Sequence, residues 1–270
     1  MLAPRALAAQ PRWLQLPPTP VLPNAERSGY APVNGIKLWY AVFGQGEPVV
    51  FLHGGLANAN YWGLQVPPVA QRHQAIVLDS RGHGRSTRDA RPYGYDLMAD
   101  DVVALLDFLE IRQAAVVGWS DGGIIGLDLA IRHPSRVPKL FAFAANTDPS
   151  GVIAGVEKNP TFASFIERAG HEYRKQSSTS GDYAAFVAAI GQMWATRPNW
   201  TKQQLSVIKT PVLVVDGDHD EAIKRPHTEQ IAARIPGAGL LILPDTSHFS
   251  FLQDPDQFTW HVLHFLAQET

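Results

Sequence analysis

The chain alternates between short, continuous apolar runs and longer stretches in which apolar residues recur with helical spacing. The strand-like runs cover residues 36–43, which alternate loosely, and the continuous apolar residues 48–52, 75–78, 114–117, 140–144, 211–215 and 240–243. Before the fourth run, apolar residues spaced four, three and four positions apart predict an amphipathic helix over residues 96–109, with Asp96 as its N-cap. Apolar strands that alternate with helices are typical of a parallel sheet covered on both faces, so the pattern predicts an α/β fold.

Two segments interrupt this alternation. Residues 147–208 contain helical patterns and scattered aromatic residues but no obvious strand, which predicts a helical cap over the end of the sheet. Prolines at 11, 17, 18, 20, 23 and 32 predict an extended, proline-rich N-terminal segment over residues 1–32. The predicted core therefore comprises residues 33–146 and 209–270, and Asn34-Gly35 is predicted to form a turn at its start.

Composition narrows the class of protein. The 270 residues are 45% hydrophobic and 18% charged, which is ordinary for one globular α/β domain. The formal charge is −2 without a dense basic run, so a nucleic-acid partner is not expected, and no apolar stretch has the length of a membrane span. Because the chain has no cysteine, a disulfide, a thiolate nucleophile and a cysteine-based metal site are excluded. Nothing in the sequence indicates an oligomeric state.

The first ten residues permit two hypotheses about location. They end in small residues like a signal-peptide cleavage region, but they lack the apolar segment that export requires. The segment is either the remnant of an exported precursor, which would place the protein in the periplasm or outside the cell, or a disordered tail of a cytoplasmic protein.

One motif carries a clear chemical meaning. The sequence Gly118-Trp-Ser-Asp-Gly-Gly123 lies between an apolar strand pattern and the apolar helix pattern of residues 124–130. A strand, a tight turn and a helix with serine at the apex form the G-x-S-x-G nucleophile elbow. In a simpler interpretation, Ser120 is only the N-cap of the helix.

Beyond the elbow, the chain resembles the α/β-hydrolase fold family from about residue 33 onward. The resemblance depends on five ordered markers: Leu52-His-Gly-Gly55, Asp79-Ser-Arg-Gly-His-Gly-Arg-Ser86, the elbow, Gly217-Asp-His-Asp220 and Ser247-His248. It implies a mostly parallel, twisted sheet flanked by helices, with a small helical cap inserted after the sixth strand. The elbow is most similar to the biphenyl-hydrolase-like branch, which includes aminoacyl-ester hydrolases.

The family order of serine, acid and histidine implies a catalytic triad. His248 follows the last strand, at the carboxyl edge of the sheet where open α/β folds gather their ligands. The family pattern places the acid three residues after Gly217 and selects Asp220, and a second location known in relatives would be Asp148. The neighbouring Asp216 and Asp218 are interpreted as loop and turn formers.

The oxyanion of the tetrahedral intermediate needs two N–H donors. One is expected from the backbone of Asp121, directly after the nucleophile, and the second from Gly55 or from Leu56. The Asp121 side chain has two interpretations: in the similar aminoacyl-ester hydrolases an acid here receives a substrate ammonium, whereas an acid in the first turn of a helix is favourable in any case. Three tryptophans are further candidates for substrate binding, with packing as the alternative: Trp62, Trp119 and Trp194.

The sequence thus predicts a cofactor-free and metal-free serine hydrolase that cleaves a small-molecule carboxylic ester through Ser120, Asp220 and His248. Serine at the elbow argues against haloalkane dehalogenases and epoxide hydrolases of this fold, which use an aspartate there. Lactonase, perhydrolase or C–C bond hydrolase activity on the same triad remain alternatives. A hydrolase-derived ligand receptor with little turnover is the alternative from a different class.

Overall fold

A single eight-stranded sheet forms the centre of the computed structural model, which describes residues 10–268. Its strands lie side by side in the order β1-β2-β4-β3-β5-β6-β7-β8. Their bounds are β1 Arg27–Val33, β2 Ile36–Phe43, β3 Glu47–Leu52, β4 His73–Leu78, β5 Ala115–Trp119, β6 Leu140–Phe143, β7 Val212–Gly217 and β8 Gly239–Leu243. Strands β3 to β8 pair in parallel, while β1 and β2 are antiparallel to their neighbours. The mostly parallel α/β sheet predicted from the sequence is confirmed.

The edge strand β1 corrects the prediction for the N-terminal segment. The sequence places residues 27–32 in an extended lead-in outside the core, but in the structure they pair with residues 37–42 of β2. Asn34 and Gly35, with φ of 44° and 79°, form the tight turn of this hairpin. The strand was not predicted because Pro32 argues against a central strand. Proline is tolerated at a sheet edge, which is where β1 lies.

Helices cover both faces of the sheet. The helices of the described chain are α1 Val66–Ala70, α2 Tyr95–Phe108, α3 Asp121–Arg132, α4 Pro160–Gln176, α5 Tyr183–Thr196, α6 Lys202–Ser206, α7 Arg225–Arg234, α8 Ser250–Gln253 and α9 Pro255–Ala267. Helix α3 follows the elbow directly and packs against β3, β5 and β6, so the serine turn is anchored in the middle of the sheet. No helix within residues 10–268 is long and apolar enough to cross a membrane.

Two helix boundaries differ from the expected ones. Residues 61–71, whose sequence predicts a helix broken or bent around Pro67-Pro68, belong to a short 3₁₀ turn, Ala59–Trp62, and the separate helix α1, so the break comes before the prolines. Pro67 lies in the first turn of α1, where the missing N–H of proline costs nothing. Helix α2 has Gly94 as its N-cap, and the predicted N-cap Asp96 lies inside the first turn, where an acid favours the helix dipole.

The interruption after β6 contains helices α4, α5 and α6; α4 and α5 lie over the carboxyl edge of the sheet, and α6 packs against α7. Phe165 of α4 is buried and packs against Tyr61, Trp119 and Phe249 of the core. An isolated antiparallel bridge joins Val152 to Ile223 in the loop after β7. The insertion after the sixth strand is therefore seated on the loops that follow β5, β7 and β8.

Candidate active site

The elbow turn holds Ser120 in a conformation that few residues adopt. Its backbone angles are φ 54° and ψ −117°, and its N–H donates to the Phe143 carbonyl oxygen at 2.8 Å. A Cβ atom on Gly122 would lie 2.0 Å from the Leu52 carbonyl oxygen, so the turn can approach β3 this closely only with glycine there. The serine is thereby fixed at the apex between β5 and α3.

His248 and Asp220 come together from the loops after β8 and β7. The Nδ1 atom of His248 lies 2.8 Å from Oδ2 of Asp220, and both side chains are buried. The other carboxylate oxygen of Asp220 accepts the N–H groups of Ala222 and Ile223 at 2.6 and 2.7 Å. The two backbone N–H groups therefore fix one carboxylate oxygen of Asp220, and the other oxygen is bonded to the imidazole of His248.

The alternative acid, Asp148, lies elsewhere. It caps the short 3₁₀ turn Pro149–Gly151 and accepts the N–H of Ser150 at 3.0 Å. Its nearest imidazole is that of His227, at 4.0 Å, and not that of His248. The structure thus pairs His248 with Asp220 rather than with Asp148.

Two further carboxyl groups lie next to the His248–Asp220 pair. The sequence did not single out Glu221, and its interpretation of Asp216 as a loop former is wrong, because Asp216 is a buried residue of β7. Glu221 accepts the backbone N–H of His248 at 3.1 Å. Asp216 is fully buried behind Asp220, where burial raises the pKa of its carboxyl group well above the ordinary value and Thr228 donates to it at 2.5 Å. Burial lowers the pKa of His248, while the Glu221 charge opposes this shift, so the imidazole is neutral and able to accept a proton at neutral pH.

Ser120 and His248 face one cavity of about 550 Å³ between the core and the cap. Its wall is largely apolar and comes from the loop after β6, the start of α4, the end of α5 and the loop after β7: Pro149, Val152, Ile153, Ala154, Val156, Phe162, Trp194, Ala195, Ala222 and Ile223. Charged side chains reach it at Asp121, Glu157, Arg197 and Lys224. A pocket of this size and composition accommodates a small organic molecule.

Three backbone N–H groups near Ser120 are available as donors. Within residues 10–268 no acceptor hydrogen-bonds the N–H of Asp121, Gly55 or Leu56. Asp121 begins α3, where the helix dipole favours negative charge. Gly55 lies against the site so closely that a Cβ atom would be 2.6 Å from Oδ2 of Asp121 and 2.3 Å from the Trp194 ring. The choice between Gly55 and Leu56, which has φ of 62°, stays open.

The Asp121 carboxylate is enclosed by neutral donors. Tyr95 donates to its Oδ1 at 2.9 Å, and the indole N–H of Trp194 is 2.9 Å from both oxygens. The side chain is 6% exposed, and burial raises its pKa to about 6. Nothing in the sequence distinguished Tyr95, because its helix reaches Asp121 only through the packing of α2 against α3. The cap is thus hydrogen-bonded to the residue that follows Ser120.

The three candidate tryptophans occupy different environments. Trp194 lines the cavity. Trp62 is 0% exposed and packs against Phe51 and Phe251 in the core, away from the cavity wall. Trp119 is 1% exposed and lies behind the site, with its ring centroid 5.9 Å from that of His248. The expected substrate contact is therefore corrected for Trp62 and Trp119, because strand and loop packing turns both indoles into the core.

One group of potential metal ligands occurs within the described part of the chain. Ligand atoms of Asp218, His219 and Asp245 lie within 4.8 Å of one another, and all three residues are exposed. Asp218 already accepts the N–H of Thr246 at 3.2 Å, as expected for a loop-forming residue, and the His219 ring is stacked on Trp13. Because these exposed residues already take part in contacts that stabilise the loop, we assign no metal ion to them.

Similarity to known proteins agrees with this architecture. The mouse (Mus musculus) serine hydrolase BPHL is 26% identical over 265 residues, covering 93% of this chain and 90% of that protein. The 2-hydroxymuconate semialdehyde hydrolase of Pseudomonas sp. strain CF600 is 29% identical and covers 83% of this chain and 88% of that protein. The solved structure of Est816, described as an N-acyl homoserine lactone degrading enzyme, matches with a TM-score of 0.71 and 30% identity, covering 88% of this chain and 100% of that chain.

The resemblance inferred from the sequence markers is confirmed, including the similarity to the biphenyl-hydrolase-like branch. The sequence pattern of the alpha/beta hydrolase family matches residues 49–259, which include the elbow and both loops that carry the acid and the histidine. The protein is therefore a hydrolase that belongs to the alpha/beta hydrolase family.

Proposed function

We propose that the protein is a serine hydrolase that cleaves small-molecule carboxylic esters through a triad of Ser120, Asp220 and His248. The observation that carries this proposal is the buried 2.8 Å contact between His248 and Asp220 on the cavity that Ser120 also faces. Serine is a weak nucleophile until a base removes its proton, and the base needs a third group to orient it. In this triad Ser120 is the nucleophile, His248 is the base, and Asp220 orients the base.

The proposed mechanism has two half-reactions. Ser120 Oγ attacks the ester carbonyl carbon while His248 Nε2 takes the hydroxyl proton, and Asp220 stabilises the resulting imidazolium through Nδ1. The N–H of Asp121 and that of Gly55 or Leu56 stabilise the oxyanion. His248 then protonates the departing alcohol, and water, activated by the same histidine, hydrolyses the acyl-enzyme.

Lactone hydrolysis is the second candidate, because Est816, at 30% identity, is described as degrading a lactone. A lactone is a cyclic ester, so the same attack and the same oxyanion serve both reactions. The two candidates differ in how the leaving alcohol is held, since in a lactone it stays attached to the acyl group. Because a 2-hydroxymuconate semialdehyde hydrolase is among the relatives, C–C bond cleavage is the third activity to be assayed.

The deciding experiment compares kcat/KM for p-nitrophenyl esters, acyclic alkyl esters, lactones and a C–C substrate of the semialdehyde type. Ester hydrolase activity requires kcat/KM for acyclic esters to exceed that for lactones and for the C–C substrate. Intact-protein mass spectrometry during turnover should detect an acyl adduct. Stoichiometric labelling without turnover on every substrate would favour the ligand receptor and contradict the proposal.

The pH dependence of kcat/KM follows from the burial of His248. The base must be neutral, and burial lowers its pKa from the ordinary 6.5, so activity should persist below pH 6.5 and fall only at lower pH. Glu221→Gln, which keeps an acceptor for the His248 N–H but removes a charge that raises this pKa, should move the acid limb still lower. The measurement is a pH profile with a non-ionising ester, and an acid limb centred above pH 7 would contradict the assignment.

We expect no preference for an α-amino group in the substrate. A carboxylate of Asp121 that already accepts from Tyr95 and Trp194, and whose second oxygen is covered by Gly55, offers little room for an ammonium. An α-amino-acid ester and its desamino analogue should therefore differ in kcat/KM by less than about tenfold, the effect of 1.4 kcal/mol. A larger preference that disappears in Asp121→Asn would establish ammonium recognition instead.

A further inference from the structure

The N-terminal segment touches both loops that carry the acid and the histidine. Residues 12–19, which we call the strap, precede β1 and cross from the core to the cap. The link to the histidine loop is Gln253, at the end of α8, whose side chain is 8% exposed. Its amide nitrogen donates to the Gln15 carbonyl oxygen of the strap at 2.8 Å.

Gln253 also bonds directly to Ser247, the residue before His248. Its Oε1 accepts the N–H of Ser247 at 2.7 Å, and its amide nitrogen also donates to the Ser247 hydroxyl at 3.0 Å. Both amide hydrogens and the carbonyl oxygen are therefore used, and the orientation of the carboxamide is determined by its partners. Ser247 is fully buried, so its backbone has no water to replace these bonds.

The strap reaches the acid loop through an aromatic stack. The ring of Trp13 lies on that of His219, with centroids 3.9 Å apart and an angle of 8° between the planes. His219 directly precedes Asp220, and its N–H donates to the Thr246 carbonyl oxygen at 3.0 Å. The stack therefore covers the point where the acid loop and the histidine loop are joined.

The same segment is tied to the cap. Thr161 and Arg168 of α4 donate to the carbonyl oxygens of Leu14 and Pro17, at 3.3 and 2.5 Å. Thr19 donates to Glu172 at 2.5 Å, and Glu172 accepts from Asn58, in the loop that carries Gly55 and Leu56. The strap thus contacts the cap and, through Glu172, is linked to the loop that carries Gly55 and Leu56.

We propose that Gln253 and Trp13 are positioning residues, through which the strap holds the Asp220–His248 pair in its reactive geometry. This inference rests on the proposed triad. Each residue contacts a neighbour of one triad member, Ser247 before His248 and His219 before Asp220. Loss of either contact frees a loop end whose displacement by about 1 Å is enough to cost a hundredfold in rate.

The test uses full-length Gln253→Met, which has a similar volume without the carboxamide, and Trp13→Ala. Each should lower kcat for a p-nitrophenyl ester by about tenfold to hundredfold while KM changes little. The low-field proton resonance of the His248 Nδ1–H bonded to Asp220 should broaden or disappear, which a loss of stability alone would not cause in the folded protein. The double variant should be less impaired than the product of the two effects, because both act through one strap.

The matched control is Val21→Ala, in the same N-terminal segment, whose side chain is 85% exposed. It should retain the kcat and the proton resonance of the unaltered protein. Trp13→Phe, which keeps a ring for the stack, should restore most of the activity and serves if Trp13→Ala does not fold. The inference would be overturned if kcat of both Gln253→Met and Trp13→Ala stayed within twofold of the unaltered protein. It would also be overturned if Gln253→Met lowered kcat while Trp13→Ala did not, because the strap would then play no part. If the unaltered protein has no Ser120-dependent hydrolysis, the proposed function fails instead.

Discussion

Replacement of Ser120 by alanine is expected to lower kcat for ester hydrolysis by about five to six orders of magnitude, as loss of a serine nucleophile does elsewhere. No other hydroxyl can take over, because the elbow places this one at the apex, facing the cavity that His248 also lines. Alanine adopts the same positive φ at a cost similar to that of serine, so the variant should fold. Residual turnover should reflect only the oxyanion donors and substrate binding.

The measurement is single-turnover and steady-state kinetics with a p-nitrophenyl ester, together with labelling by a fluorophosphonate. The matched control is Ser150→Ala, since Ser150 lines the same cavity but its hydroxyl is bonded to Asp148. The control should keep kcat within a few-fold and should still take up one equivalent of label. Activity of Ser120→Ala within tenfold of the unaltered protein would remove Ser120 as the nucleophile.

Replacement of Asp220 by asparagine is expected to lower kcat by about four orders of magnitude. The asparagine oxygen can keep the N–H groups of Ala222 and Ile223, so the loop should persist. Its NH₂ group would then face Nδ1 of His248, which favours the wrong tautomer and removes the charge that stabilises the imidazolium. The loss should therefore lie in kcat and not in protein stability.

Asp148→Asn is the control for this prediction. The Asp148 carboxylate is engaged with Ser150 and lies 4.0 Å from His227, so its charge is not available to His248. We expect kcat within a few-fold of the unaltered protein, measured beside Asp220→Asn at the same pH and with thermal unfolding curves for both. A large loss in Asp148→Asn with little loss in Asp220→Asn would reassign the acid.

Much of the fold was predictable because its signals are local. Six of the eight strands contain a continuous apolar run, β2 alternates loosely, and the elbow is a contiguous motif in which glycine is required for close approach to β3. The eighth strand, β1, was not predicted from the sequence. It pairs with β2 in a hairpin at the sheet edge, which is a position where its proline is tolerated. The order of serine, acid and histidine along the chain was equally available from sequence.

The contacts that surround the reactive groups were not predictable in this way. Tyr95, Glu221 and Gln253 are ordinary polar residues in sequence, and each acquires its partner only when separate elements pack together. The same holds for Trp62 and Trp119, whose indoles could have faced a pocket or the core. No periodicity distinguishes these alternatives, because both directions satisfy the local backbone equally well.

The sequence by itself determined the alternating α/β order, the serine at a strained turn and the candidates for its partners, since periodicity and glycine positions act over a few residues. Only the tertiary structure decided which acid faces His248, that Asp121 is enclosed by Tyr95 and Trp194, and that a proline-rich segment lies against the loops that carry Asp220 and His248. The physical reason is that hydrogen bonds and burial depend on distances between residues far apart in the chain, which are set when the sheet, the cap and the N-terminal segment pack together.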